Sequence, residues 1–245
     1  MGSLLVDVGN TRLKWRFQQE GVVRCAGALP VHHLSLSLLR EALPGNVARL
    51  FWSNVSSDDN GAIVRAWALE QQIPCKQIST QNNWQGLING YEQAAQLGVD
   101  RWLAMIGARQ RTPKAFCVVD CGSAITFDYV RIDGRHEGGY IIPGALLMSQ
   151  SLVRDTANIN ISDEGVHCLS IKAQPGADTS AAVFAGCDQM VYHGVRGLIS
   201  EAKLRGYEII LCGGDGIAIA DKLNVTYVEG LVLDGLAQVA GLHKH

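Results

Sequence analysis

A chain of 245 residues, 47% of them hydrophobic, is long enough to bury a substantial core as one large domain or two smaller ones. The net charge is −2 and the Lys and Arg residues are scattered, so composition gives no electrostatic reason to expect nucleic acid or a membrane surface as partner. No apolar stretch is long enough to span a bilayer and the N-terminus lacks a signal-peptide pattern. The 7 cysteines form no C-x-x-C pair and sit mostly in apolar surroundings, which points to a reducing, cytoplasmic setting without a disulfide framework.

In chain order, Ser3–Val8, Leu13–Phe17 and Val22–Ala28 are predicted as consecutive strands. In the second, Leu13, Trp15 and Phe17 fall on one face and Lys14 and Arg16 on the other. A helix at Leu34–Leu43 stops at Pro44-Gly45, and strand Val47–Val55 leads through Ser56-Ser57 into a helix at Asp58–Gln72. After a short strand at Cys75–Ser79 comes a polar loop, Thr80–Trp84, in which Trp84 is a candidate pocket aromatic. Helices are expected at Tyr91–Leu97 and Arg101–Arg109, interrupted by Gly98-Val99-Asp100.

The polar stretch Gln110–Lys114 contains Pro113 and marks the expected boundary between domains 1–112 and 113–245. Three strands follow again: Ala115–Cys121, Ala124–Ile132 and His136–Ile142. A helix at Ala145–Val153, a polar excursion around Asn158–His167, and a long Ala- and Gly-bearing helix at Thr179–Leu204 come next. Glu208–Cys212 is a strand that ends at Gly213-Gly214-Asp215-Gly216, and Ile217–Leu223, Val225–Val228 and Leu231–Leu242 read as helix, strand, helix. Both halves therefore open with three strands and then alternate helix and strand.

Two bends share a grammar. Asp7-Val8-Gly9-Asn10-Thr11 and Asp120-Cys121-Gly122-Ser123 each follow a buried strand and place a carboxylate, a glycine and a hydroxyl in succession. Such a bend can aim polar groups at a phosphate while the acid manages a cation. The chain has neither a Walker loop nor a G-x-G-x-x-G fingerprint, so these bends are the phosphate-binding candidates, with Lys14 able to reach a phosphate oxygen. Taken alone, the first bend is equally a polar hairpin, Gly213–Gly216 is equally a tight strand-to-helix connection, and Asp100-Arg101 is a helix N-cap followed by a surface arginine.

Five segments in order carry a resemblance: Asp7–Thr11, Gly98–Arg101, Asp120–Ala124, Gly138–Gly144 and Asp178–Ser180. Together they resemble the type III pantothenate kinase family, of the acetate-and-sugar-kinase, Hsp70 and actin superfamily. The resemblance implies an α/β fold of two ribonuclease-H-like domains with a nucleotide cleft between them. It implies ATP contacts from Asp7, Val8, Gly9, Asn10, Thr11, Arg12, Leu13 and Lys14, and from Ser123, where many members carry Thr. It implies a pantothenate site at Tyr91, Gly98, Val99, Asp100, Arg101 and Thr179, with Asp100 as proton acceptor, and Asp120 as ligand of a monovalent cation, K⁺ or NH₄⁺. ATP with Mg²⁺, a homodimer and the first step of coenzyme A biosynthesis belong to the same implication. An accessory homologue that binds these ligands without turnover, or a phosphatase on the same fold, are the competing functions. Neither would require the full set Asp7, Asp100 and Asp120 together with the Gly98–Arg101 segment.

Overall fold

The structure, a computed structural model, describes residues 2–242 except 157, 158, 160, 162–168, 172 and 173. Most of the expected excursion at Asn158–His167, and the tail His243–His245, lie outside the described residues. The chain divides into two compact units, Met1–Arg111 with Gly230–His245, and Thr112–Glu229.

In the first unit, Gly2–Val8 (β1), Arg12–Gln19 (β2) and Val22–Pro30 (β3) pair antiparallel. Helix α1 (Leu36–Ala42), strand β4 (Val47–Asn54), helix α2 (Asp58–Glu70) and strand β5 (Cys75–Gln77) follow, giving a 5-stranded sheet ordered β3-β2-β1-β4-β5 with β4 parallel to β1. The alternation in β2 sends Leu13, Trp15 and Phe17 into one core with Leu4, Val6 and Val8, where Leu39 of α1 and Val64 and Trp67 of α2 meet them. Ser35 and Ser57 cap the two helices by accepting the backbone N–H of Leu38 and Asn60.

Two differences from the expected elements lie between β5 and the next helix. Asn83–Trp84 (β6) and Leu87–Ile88 (β7) form a small ribbon in place of the polar loop. Its corner residues Gln85 and Gly86 have φ of 45° and 86°, the sign that a tight two-residue hairpin requires. The helix expected at Tyr91–Leu97 is instead irregular, with a single 3₁₀ turn at Ala94–Gln96. Asn89 explains this: its side chain accepts from the Tyr91 N–H at 3.0 Å and donates to the Gln81 and Ala94 carbonyls, each at 3.3 Å, offering the backbone partners that compete with a helix. Helix α3 then runs Val99–Arg109.

The second unit repeats the plan. Strands β8 (Phe116–Cys121), β9 (Ala124–Val130) and β10 (His136–Pro143) are antiparallel, and α4 (Ala145–Asp155), α5 (Thr179–Leu204), β11 (Glu208–Cys212), α6 (Gly216–Leu223) and β12 (Thr226–Tyr227) follow. The 5-stranded order is β10-β9-β8-β11-β12. Cys117, Val119, Cys121, Ile125 and Phe127 line the sheet face that packs on Val183, Cys187, Val191, Val195 and Ile199 of α5.

The last helix, α7 (Leu231–Val239), does not stay with residues 113–229, as the boundary expected after residue 112 would have it. It packs in the first unit against α3. Leu231, Val232, Leu233, Leu236 and Ala237 are buried there, and the two helices touch at glycines: a Cβ on Gly107 would come within 2.6 Å of the Leu231 carbonyl oxygen. A boundary judged from local composition cannot register a segment that returns through long-range burial.

Candidate active site

Asp7 sits one residue before the end of β1, where a central strand buried on both faces meets the bend. It is 6% exposed and accepts a hydrogen bond from Ser53 Oγ at 2.8 Å. Ser53 is its neighbour in register on the parallel strand β4, so the sheet itself aligns donor and acceptor. In the bend, the Gly9 N–H donates to the Arg12 carbonyl at 3.1 Å, and a Cβ on Gly9 would crowd that carbonyl at 3.0 Å. The Gly9 N–H is thus committed within the bend. The groups left facing solvent are those of Asn10, Thr11, Arg12 and Lys14, while Val8 and Leu13 are buried. Lys14 stands directly across from Asp7 in the antiparallel register, on the same sheet face.

The same unit carries the second group of expected residues. Gly98 is the N-cap of α3, and Val99, Asp100 and Arg101 form its first turn. Asp100 is therefore not the cap expected from the sequence taken alone. Its Oδ1 accepts the N–H of Arg101 at 2.8 Å, and a Cβ on Gly98 would lie 2.6 Å from that oxygen, so the glycine leaves the carboxylate its room. Nor is Arg101 a surface residue: it is 7% exposed, and its Nη1 donates to Tyr91 Oη at 2.9 Å with the guanidinium 5.7 Å from the Tyr91 ring centre. The irregular stretch after Asn89 brings Tyr91 to that position. A fixed guanidinium beside a carboxylate at a helix N-terminus can hold an anionic substrate and take a proton from its hydroxyl.

In the second unit, Asp120 lies at the end of β8, partly buried, with Gly122 donating its N–H to the Ala124 carbonyl at 3.1 Å and Ser123 exposed in the bend. Gly213, at φ 87°, follows the parallel neighbour β11, and a Cβ there would collide with Asp120 Oδ1. The glycine lets the two bends approach this closely, with the Cys121 carbonyl equally near. Asp215, which the sequence offered only as part of a Gly-rich turn, precedes α6 and ties its N–H to the Cys121 carbonyl at 3.1 Å, joining the two bends of this unit. Burial, together with the negative charges of Asp120 and Asp215, pushes the Cys121 thiol up, so it stays protonated and is no nucleophile. Thr179 is the first residue of α5 and is exposed, with Asp178 capping the helix.

Trp84, the suspected pocket aromatic, is half-buried in β6, while Trp15, Trp52, Trp67 and Trp102 are core residues. Ser53 was missed; its only signal was a polar residue closing the apolar strand Leu50-Phe51-Trp52. His136 meets Asp128 at 2.9 Å, both about 1% exposed. The β9–β10 pairing joins them across the hairpin. Among the described residues there is no cluster of three or more His, Cys, Asp or Glu able to hold a metal ion, and no helix long and apolar enough to cross a membrane.

The two-sheet plan is shared with solved structures that carry little sequence likeness. The activator of 2-hydroxyisocaproyl-CoA dehydratase from Clostridium difficile, with bound ADPNP, is similar at a TM-score of 0.50 and 12% identity, over 98% of this chain and 94% of that one. The ethanolamine utilization protein EutJ from Carboxydothermus hydrogenoformans is similar at 0.51 and 11%, over 96% and 88%. These likenesses identify an actin-like ATPase fold. In sequence, the type III pantothenate kinases of Marinobacter nauticus and Hahella chejuensis are each 36% identical to this chain, over 97% of both chains for the first and 98% of both for the second. The family model described as type III pantothenate kinase matches residues 3–201, which include every segment that carried the resemblance, and the chain belongs to that family.

Proposed function

We propose that this protein transfers the γ-phosphoryl group of ATP to the primary alcohol of pantothenate, giving 4′-phosphopantothenate. The observation that carries the reading is the start of α3, where Asp100 stands in the first turn beside an Arg101 locked by Tyr91. Arg101 and the helix N-terminus suit the carboxylate of the substrate, and Asp100 suits its hydroxyl. As the alcohol oxygen bonds to phosphorus, the bond from phosphorus to the ADP oxygen breaks and the alcohol proton passes to Asp100. In a loose transition state that proton leaves late, so Asp100 chiefly orients the nucleophile. The Asp7–Lys14 bend is assigned to the ATP phosphates, Ser123 to a further ATP contact, and Val99 and Thr179 to the substrate.

The donors present are hard oxygens, which fit Mg²⁺ carried mainly by the nucleotide with one carboxylate in support. Asp120 fits a monovalent cation, K⁺ or NH₄⁺, as a partly buried carboxylate beside the bend that ends β8. When bound, these ions supply charge neutralisation for the phosphates. A homodimer is supported by α5, which exposes Met190 and has open space at Gly186, Gly194 and Gly197. A cytoplasmic location is supported by unpaired thiols, including the exposed Cys25 and Cys75.

A coupled ADP-release assay with ATP, with and without pantothenate, tests the function. Pantothenate-dependent ADP supports it. Pantothenate-independent phosphate release makes the protein a phosphatase, and binding without turnover makes it an accessory protein. Light scattering at about twice the chain mass supports the dimer, and a fully active monomer refutes it.

A further inference from the structure

We propose that Asp234 is a positioning residue for the phosphoryl transfer, fixing the strand that leaves the phosphate bend relative to the helix that carries Asp100 and Arg101. The proposal rests on the function proposed above and involves residues of the first unit alone. Arg16 is opposite Leu5 in the β1–β2 register, so it shares a sheet face with Asp7 and Lys14. Its Nη1 donates to Asp234 Oδ1 at 2.5 Å and its Nη2 to the Gly230 carbonyl at 3.3 Å. The other carboxylate oxygen of Asp234 accepts from Arg111 Nη2 at 2.6 Å. Arg111 closes the end of α3, with its own N–H on the Ala108 carbonyl at 2.9 Å.

One carboxylate on α7 therefore grips both β2 and the end of α3. The helix pair is already in backbone contact: a Cβ on Gly235 would overlap the Leu103 carbonyl, one turn from Asp100. The side chains of Arg16 and Asp234 are 15% and 25% exposed, so solvent screens this pair only in part. With Asp234 neutral, two guanidinium groups that shared one anion repel each other across an amide. The bend carrying Asp7 and the helix carrying Asp100 then lose their common anchor. Reacting groups tolerate little misplacement: about 1 Å can cost up to about 10²-fold in rate.

Asp234→Asn, Arg16→Gln and the double variant test the idea by steady-state kinetics and by hydrogen exchange read by mass spectrometry. Each single variant should lower kcat about 10-fold, within that misplacement range, while KM for ATP and for pantothenate stays within about threefold. The double variant should lose little more, because both changes break one network. Exchange should quicken together in 12–19 and in 99–109. A purely stabilising role would lower Tm and leave kcat per folded molecule at the parental value, and that result overturns the proposal, as does a rise in KM alone. If the parent shows no pantothenate-dependent turnover, the proposed function fails, and exchange then decides the coupling by itself. Quickening in both segments upholds the anchor, whereas quickening confined to 231–239 overturns it.

Discussion

The two units are one plan carried out twice, and their carboxylate bends differ where the plan does not require likeness. Both sheets run three antiparallel strands and then two parallel ones, and each acid lies at or next to the end of the central strand. Asp7 is nearly sealed and takes a hydrogen bond from Ser53 in the neighbouring strand. Asp120 is less buried, and the backbone of Gly213 comes so near that any side chain there would strike the carboxylate. The first arrangement suits a fixed acid that shapes a phosphate bend. The second suits an acid that shares its charge with a bound cation. The same topology thus yields a buried acid under a neighbouring hydroxyl and a less buried acid beside a neighbouring glycine.

The substitution expected to hurt most is Asp100→Asn, which should cut kcat by about 10²-fold or more, the usual range for loss of a general base. Near-normal turnover would remove the proton transfer from the first unit. The less buried site is tested next. Replacing K⁺ by Na⁺ should lower the parental rate, and Asp120→Asn should erase the difference between the two ions, because it removes the charge assigned to hold them. A variant that still distinguishes the ions would mean that they bind elsewhere.

The sealed site is sharpened by contrast with an exposed hydroxyl. Ser53→Ala strips a donor from a buried carboxylate and should cost about 1–3 kcal/mol in urea unfolding. Ser123→Ala, at an exposed position, should leave the unfolding midpoint unchanged and raise only the KM for ATP. Equal effects of the two on stability would dissolve the distinction.

The smallest effect concerns Glu208, where Lys114 and Thr112 hold the carboxyl below its ordinary value. A lowered carboxylate pKa adds stability above the unfolded value, and that stability is lost as pH falls through the folded one. Parent and Glu208→Gln should differ slightly at neutral pH and converge below about pH 4, the ordinary carboxylate range. A gap that persists in acid would point to packing instead.

Strand and helix periodicity made both sheets legible, since alternation such as Leu13-Lys14-Trp15-Arg16-Phe17 leaves one choice of face. The long helix was equally plain, with Asp178 as its cap and a left-handed glycine, Gly206, just beyond it. Asp7, Asp100 and Asp120 were legible as motif residues. Their supports were not. Ser53 and Asp7 are joined by strand pairing, Tyr91 and Arg101 by a loop that Asn89 bends, and Asp234 and Arg16 by a helix that comes back from the far end of the chain. Each is a meeting in space between residues with no periodic relation in sequence. The tight ribbon at Gln85-Gly86 escaped because it lacks the Asn-Gly or Asp-Gly pair that marks such corners.

The return of α7 makes the two halves differ in how far apart their own parts lie along the chain. Residues 112–229 supply the second unit as one uninterrupted stretch. The first sheet lacks its covering helix until residues 231–239, separated from it in sequence by the whole of the second unit, join it. Closing that longer loop costs more chain entropy, so the half that carries Asp100 is the slower to complete. A chain truncated at residue 229 would present an intact Asp120 bend and an uncovered Asp100 helix, and a permuted gene that starts at Gly230 would put the missing helix first.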